Sequence, residues 1–566
     1  MDYSEKRIRS FFIGLLVISL LLKLIGIWNV SSPDEYIEVI EALRVGSGHL
    51  NFERWIKRVY LYIIAFEYGI YFIIQLIIGQ IQSSADFASK VIRDMQPLLI
   101  IARVTSVIFS TVTLVGVFKI GKRIHSSLCG LISCFFLIIT PIVFEMAHYA
   151  RVDSTLTFLT TFAMLFIIKS YQDYKRFDFI VAGIFTGLAF QCKIQSVVLF
   201  IPFVTMYVFH EKQFFYKIFS QKRAWYYAAG LFIGWIIGNP AVLFAFSKYI
   251  SHFVLLKGVF TDPLNMEIST HIGYVSYFFD IARQMGLFLF VLLLVSLSSV
   301  LVWKKRDEKF IVFSFICLFY LLLGSSRHMV STSYMLPLYP FFYLVISIFI
   351  IDILSEISIF NRIKIILLGV IVLSLSIIPA VRTAQYKISI LGPNTRILAK
   401  KWIELNIPTN SRILMDSGKN FNTFAPLIAE NEIALNRLLN KTEDDIKTDN
   451  IRKLSGLISK QGLVMYEMLL KTVPDIAYDI TSTHRGLNLK TIEYYKNNNF
   501  DYAIISQDVA SVFNTEGGKK LYPDSAAFYK KIPKELTLIK KISPGKYNSG
   551  DIFYIYKFPN RQAQFK

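Results

Sequence analysis

The chain has 566 residues, 54% of them hydrophobic and 18% charged, with a mean hydropathy of +0.48. That balance excludes an ordinary soluble globular protein and predicts a polytopic membrane protein. The formal charge of +21 does not signal a nucleic-acid partner: 19 of the 61 Lys and Arg fall in clusters between apolar segments, where membrane topology accounts for them.

Residues 11–30 form the first apolar run, twenty residues with one charge, Lys23. It is long enough to cross a bilayer as a helix, and too long, without a small-residue cleavage site, to be a removable signal. Pro33-Asp34-Glu35-Tyr36 follows at once. Two adjacent carboxylates at a membrane exit either solvate the helix end or act on a substrate held at the lipid surface. Further runs able to span are 98–118, 128–147, 154–168, 179–191, 196–209, 224–244, 285–303, 310–324, 334–351 and 363–380. The pair flanking Lys193 is short, which predicts broken helices or helices packed inside protein. Run 59–81 is apolar enough to cross but carries Glu67 and Gln75.

Charge decides how that run is read. If 59–81 does not cross, the basic clusters beginning at Lys6, Lys119, Lys169, Lys212, Lys304 and Arg362 all share the cytoplasmic side. The short opposite turns then hold only Arg151, Lys193 and Arg327, a strong positive-inside pattern. The expectation is therefore about eleven spans, with 59–81 lying in or on the membrane within one outer loop, 31–97. The N-terminus is inside and residues 381–566 are outside. That last region changes character. Residues 395–406 have helical apolar spacing ended by Pro408, and 412–416, 501–506 and 552–558 read as strands. The predicted organisation is a transmembrane domain over 1–380 followed by a soluble α/β domain over 381–566. The four cysteines, Cys129, Cys134, Cys192 and Cys317, all lie in or beside apolar segments, so neither a disulfide framework nor a C-x-x-C zinc site is expected.

This topology gathers the ionisable residues on the outer side. Asp34 and Glu35 follow the first span, His148, Arg151 and Asp153 occupy the next outer turn, and Lys193 the one after. Asp262, Glu267 and His271 lie in a long outer loop, and Arg327, His328 and Tyr334 precede the tenth span. Arg151 and Asp153 can pair with each other. A Lys between Cys192 and Ile194 carries a desolvation cost that a lipid phosphate would offset. No H-E-x-x-H, G-x-S-x-G or Walker sequence is present. A transporter or lipid flippase is the alternative class, but it would place ionisable residues near the bilayer midplane. A scaffold or sensor without activity is a third.

Several of these residues together resemble the GT-C membrane glycosyltransferases, in the branch that holds protein O-mannosyltransferases and lipid A aminoarabinose transferases. Asp34-Glu35-Tyr36 with Glu41-Ala42-Leu43 and Gly46 is similar to that branch's first-loop pattern. Arg103, Asp153, Gly187-Leu188-Ala189 with Lys193, and Tyr334-x-Leu336-Pro337 with Pro340 also match. The stretch AKKWIELN at 399–406, with Ile407-Pro408, is similar to the start of the family's extracytoplasmic domain.

The resemblance implies GT-C architecture and a reaction. A sugar carried on a polyprenyl phosphate passes, with inversion, to an acceptor outside the plasma membrane: a protein, a lipid or a glycan. Asp34 matches the general base and Glu35 shapes the site. Lys193 and Tyr334 match positions that hold the donor phosphate, for which Arg103 and Arg327 are further candidates. Arg151, Asp153, His148, Asp262 and His271 are the remaining substrate-binding candidates. The Glu-Lys-Pro run of aminoarabinose transferases is absent, with Lys57-Arg58 in that neighbourhood, which argues against aminoarabinose transfer to lipid A and against a metal site there. No cofactor is implied beyond the lipid-linked donor, and a divalent metal stays open.

Overall fold

A computed structural model of the chain describes residues 5–48, 58–211, 215–247, 249–250, 273–300, 307–325, 331–358, 360–417, 425–447, 466–484, 486 and 489–559. The chain divides into two units. One comprises Met1–Ile27, Glu41–Phe66 and Ile100–Lys387, the other Trp28–Ile40, Glu67–Leu99 and Ile388–Lys566.

The first unit is helical. Its elements are α1 (Glu5–Leu24), the later part of α2 (Pro33–Gly46), the start of α3 (Arg58–Ile77), most of α5 (Gln96–Ile124), α6 (Ser127–Ile138), α7 (Pro141–Ala147), α8 (Asp153–Asp173), α9 (Arg176–Cys192), α10 (Phe200–Glu211) and α11 (Lys222–Gly238), then α12 (Gly273–Met285), α13 (Leu287–Ser299), α14 (Asp307–Gly324), α15 (Tyr339–Glu356) and α16 (Asn361–Ser389); α4 (Ser84–Arg93) belongs to the second unit. Among the described residues five helices are long and apolar enough to cross a membrane, and seven if each bent pair is one span; Ile194–Val208 and Lys309–Gly324 are shorter apolar helices.

The breaks have local causes. Run 128–147 becomes α6 and α7, bent by 69° where Pro141 opens the second helix, because proline removes a helical donor and clashes with the preceding turn. Run 285–303 starts only after a 118° bend between α12 and α13 at Gly286, whose φ of +81° suits a residue without a Cβ. The segment around Lys193 is also interrupted, as its length required: α9 ends at Cys192 and a 3-10 turn, Ile194–Leu199, precedes α10.

Helix α9, whose end carries Lys193, is set in place by close packing on α11. A methyl group at Gly183 or Gly187 would lie 2.1 and 2.3 Å from the carbonyl oxygens of Tyr227 and Leu231. One at Gly230 or Gly234 would lie 2.0 and 2.2 Å from those of Ile180 and Ile184. Small residues four apart on both helices let the backbones meet, the usual solution where lipid supplies no hydrophobic drive.

The second unit contains a five-stranded sheet of β1 (Arg412–Ser417), β2 (Asp479–His484), β3 (Tyr502–Ser506), β4 (Thr537–Ile542) and β5 (Phe553–Lys557), in the order β2-β1-β3-β5-β4. β1 pairs in parallel with β2 and β3; β5 pairs antiparallel with β3 and β4. Alternation along β1 sends Leu414 into one core, with Phe513, Phe528 and Ile532, and Ile413 and Met415 into another, with Ala399 and Ile403 of α17 (Thr395–Asn406). The three strands read from sequence are β1, β3 and β5. The two not read, β2 (DITSTH) and β4 (TLIKKI), are the edges, where polar and lysine-rich sequence guards against further pairing but erases the apolar alternation.

Within this unit Asp416 is buried and accepts hydrogen bonds from Thr483 Oγ1 at 2.9 Å and Tyr529 OH at 2.6 Å. Burial pushes its carboxyl from 3.8 up to about 6, against the pull of those bonds. Nearby Asp551 is likewise raised to about 6, first by burial. A carboxyl raised on folding stabilises fully below its unfolded pKa and loses that contribution as pH rises through the folded value. Thermal unfolding should therefore show stability falling between about pH 4 and pH 7, with Asp416 contributing roughly 2–3 kcal/mol of the fall. Asp416→Asn is expected to flatten the profile; an unchanged profile would remove Asp416 as its source.

Candidate functional site

Asp153 opens α8 and Lys193 caps the end of α9. These two helix ends, 40 residues apart in sequence, meet through Lys193 Nζ, 2.5 Å from Asp153 Oδ1. Arg151 Nε lies 3.3 Å from the other oxygen, Oδ2, so one carboxylate serves two cations. Lys193 Nζ also sits 4.6 Å from the centre of the Tyr334 ring, within cation–π range; Tyr334 is held in a 3-10 turn, Thr332–Leu338. Asp153 is 1% exposed and Lys193 7%.

The cluster corrects one step of the sequence argument. The desolvation cost of Lys193 was assigned to a lipid phosphate, yet Asp153 offsets it inside the protein. The sequence did anticipate the Arg151–Asp153 pair. The Lys193–Asp153 pair left no local signal, because the partners lie on different helices. The cluster lies in a mostly buried space at the N-terminal end of a helix, and the Arg151 charge also acts on the carboxyl of Glu145. A helix N-terminus with two cations beside it favours an incoming anion.

Other predicted residues of this unit are bound separately. Arg103 on α5 is fully buried and donates from Nη1 to Ile27 O at 2.9 Å. His148, also buried, holds Phe144 O through Nδ1 at 2.8 Å, and its ring meets Tyr386 edge-on at 5.7 Å. Ser106 Oγ donates to Arg151 O at 3.4 Å, fixing the turn that carries Arg151. Asp262, Glu267, His271, Arg327 and His328 lie outside the described residues.

In the second unit the acidic pair begins α2. Pro33 is the first helical residue, a position its fixed φ and missing N–H suit. Ser32 N donates to Glu35 Oε2 at 2.8 Å, the reciprocal half of a capping box. Glu35 is completely buried, so its carboxylate sets where the helix starts. Asp34, one residue earlier, is half-buried in the same first turn. The two acids thus have different settings, and the Ser-x-x-Glu spacing at 32–35 is the local sequence signal of that difference. Among the described residues no three His, Cys, Asp or Glu side chains come together as metal ligands.

A family profile described as dolichyl-phosphate-mannose-protein mannosyltransferase matches residues 99–244, the stretch that contains Arg103, Arg151, Asp153 and Lys193. No curated protein matches the sequence. Among solved structures, ArnT from Cupriavidus metallidurans in the apo state is 10% identical, with 98% of each chain covered and a TM-score of 0.53. The same protein bound to undecaprenyl phosphate matches at 10% identity over 98% of each chain, with a TM-score of 0.45. The Archaeoglobus fulgidus oligosaccharyltransferase tethered to an acceptor peptide matches at 10% identity, 96% of this chain and 74% of that one, with a TM-score of 0.48. The likeness to apo ArnT gives the fold alone, the GT-C architecture.

Removing the shared carboxylate should take from Lys193 and Arg151 a partner they have in common. Asp153→Ala is expected to cost about 3–5 kcal/mol of stability, since a buried charge loses its partner. Combining it with Lys193→Met should recover part of the loss. Thermal unfolding of the purified protein in detergent measures both, and additive losses would show that the two side chains are not coupled.

Proposed function

We propose that this protein is an integral membrane glycosyltransferase. It moves a sugar, with inversion, from a polyprenyl-phosphate donor to a protein, lipid or glycan acceptor on the outer side of the plasma membrane. The observation that carries this reading is the Lys193–Asp153–Arg151 cluster beside Tyr334, which sets two cations at a helix N-terminus, a combination suited to a phosphate leaving group. The matched family profile supports it. Lys193 stabilises the charge that develops on the phosphate as the glycosidic bond breaks; a compact ammonium suits that task as a point charge. Asp153 holds Lys193 in place, and Asp34 takes the proton of the acceptor hydroxyl.

The reading includes a topology of about eleven spans, with the N-terminus inside and residues 31–97 and 381–566 outside. It treats α3 as lying along the membrane rather than across it, although α3 is long and apolar enough to span. In support, Tyr60 OH bonds to Ala102 O and Tyr68 OH to Leu98 O, both in the first two turns of α5. Impermeant thiol reagents should label Ser84→Cys and Ser482→Cys in intact cells; protection of Ser482→Cys until lysis would mean that α3 crosses.

Turnover tests the chemistry. Purified protein, a radiolabelled polyprenyl-phosphate sugar and a cell-envelope extract should give labelled product. Asp34→Asn should abolish transfer while donor binding survives. Lys193→Met should weaken polyprenyl-phosphate binding about ten- to a hundredfold, the loss of one charge-assisted contact. Full transfer by a folded Asp34→Asn protein would remove Asp34 from the mechanism, and unchanged affinity in Lys193→Met would remove the phosphate role from Lys193.

A further inference from the structure

The segment bearing Asp34 is bound to the start of α17 by a set of contacts within the second unit. Asn29 Nδ2 donates to Ile390 O at 3.1 Å and to Leu391 O at 2.8 Å, and Asn394 N donates to Asn29 O at 3.1 Å. Asn394 in turn caps α17, its side chain accepting from Arg396 N. Arg396, in the first turn of α17, is 6% exposed. Its Nη1 donates to Ser31 Oγ at 2.9 Å, its Nε donates to Ala425 O at 3.0 Å, and its guanidinium lies 5.4 Å from the centre of the Tyr36 ring. Burial works against the charge of Arg396, while the neighbouring Tyr36 and Glu35 favour it. One planar group therefore touches both sides of the capping box, Ser31 before it and Tyr36 after it, and anchors them to the backbone beyond β1.

We infer that Arg396 is a positioning residue for transfer: it holds the first turn of α2, and with it Asp34, against the C-terminal α/β domain. The inference rests on the reading of Asp34 as the base. A guanidinium suits this place because its rigid fork supplies several donors at fixed angles while its face stacks on an aromatic ring. A lysine would keep the charge and most of the stem but could not make both directed bonds. On this view the C-terminal domain is part of the catalytic apparatus, since it sets where the acceptor's proton is taken.

Hydrogen exchange of the full-length protein in detergent, read alongside turnover, tests this. In Arg396→Met, exchange at residues 31–38 should quicken about ten- to a hundredfold, as expected for the loss of a charge-assisted contact. Strands β1 and β3 should keep wild-type protection, kcat should fall, and polyprenyl-phosphate affinity should stay unchanged. Arg396→Lys should show the same pattern at smaller amplitude; if β1 and β3 loosen in Arg396→Met, this milder variant decides by the same readouts. Wild-type exchange at 31–38 would overturn the inference. So would faster exchange there with unchanged kcat, given that Asp34→Asn is inactive. If Asp34→Asn keeps full transfer, the reading of Asp34 as base fails instead, and the exchange data alone then decide whether Arg396 holds the helix.

Discussion

One carboxylate, that of Asp153, shared between Lys193 and Arg151, is the interaction on which the first unit's candidate site depends. Taking these three charges out of water is expensive, and the cost is met only if their geometry is kept. The pair ties the start of α8 to the end of α9, and α9 can be there only because glycines on it and on α11 let the two backbones touch. Packing of small residues thus places a helix end, the helix end places an ammonium, and the ammonium rests on the ring of Tyr334. Two cations held at a helix N-terminus are what suit the cluster to an anion as well as to a structural role.

The second unit treats its two acids differently for a reason of helix geometry. Successive residues in an α-helix point about 100° apart, so Asp34 and Glu35 cannot share an environment. Glu35, at the third helical position, turns back onto Ser32 N and is buried. Asp34 occupies the turn's more open side and is half-buried. The capping contact of Glu35 also fixes the helix turn that carries Asp34.

Local chemistry was legible wherever a signal spans a few residues. Helix α17 runs over Thr395–Asn406 as its apolar spacing predicted, with Asn394 as cap. The parallel centre of the sheet was readable because β1 and β3 are buried and apolar. The edge strands were not: β2 is polar although Asp479, Ile480 and Thr483 are buried, and β4 is exposed and lysine-rich, so neither carries an apolar alternation. The span broken at Pro141 looked continuous in a count of apolar residues, since hydropathy measures transfer into lipid and carries no information about backbone direction.

By itself the sequence determined the class of protein, the apolar helices, the α/β character of the C-terminal region and the turns between apolar segments that carry ionisable groups. These follow from composition and from periodicities of two and 3.6 residues, which need no knowledge of what lies opposite. Only the tertiary structure decided which charges compensate one another. Lys193 and Asp153 are separated by 40 residues, and Arg396 reaches Ser31 across 365. A buried cation must find a partner, but desolvation fixes only that need; which partner answers it is set by packing of whole helices and sheets.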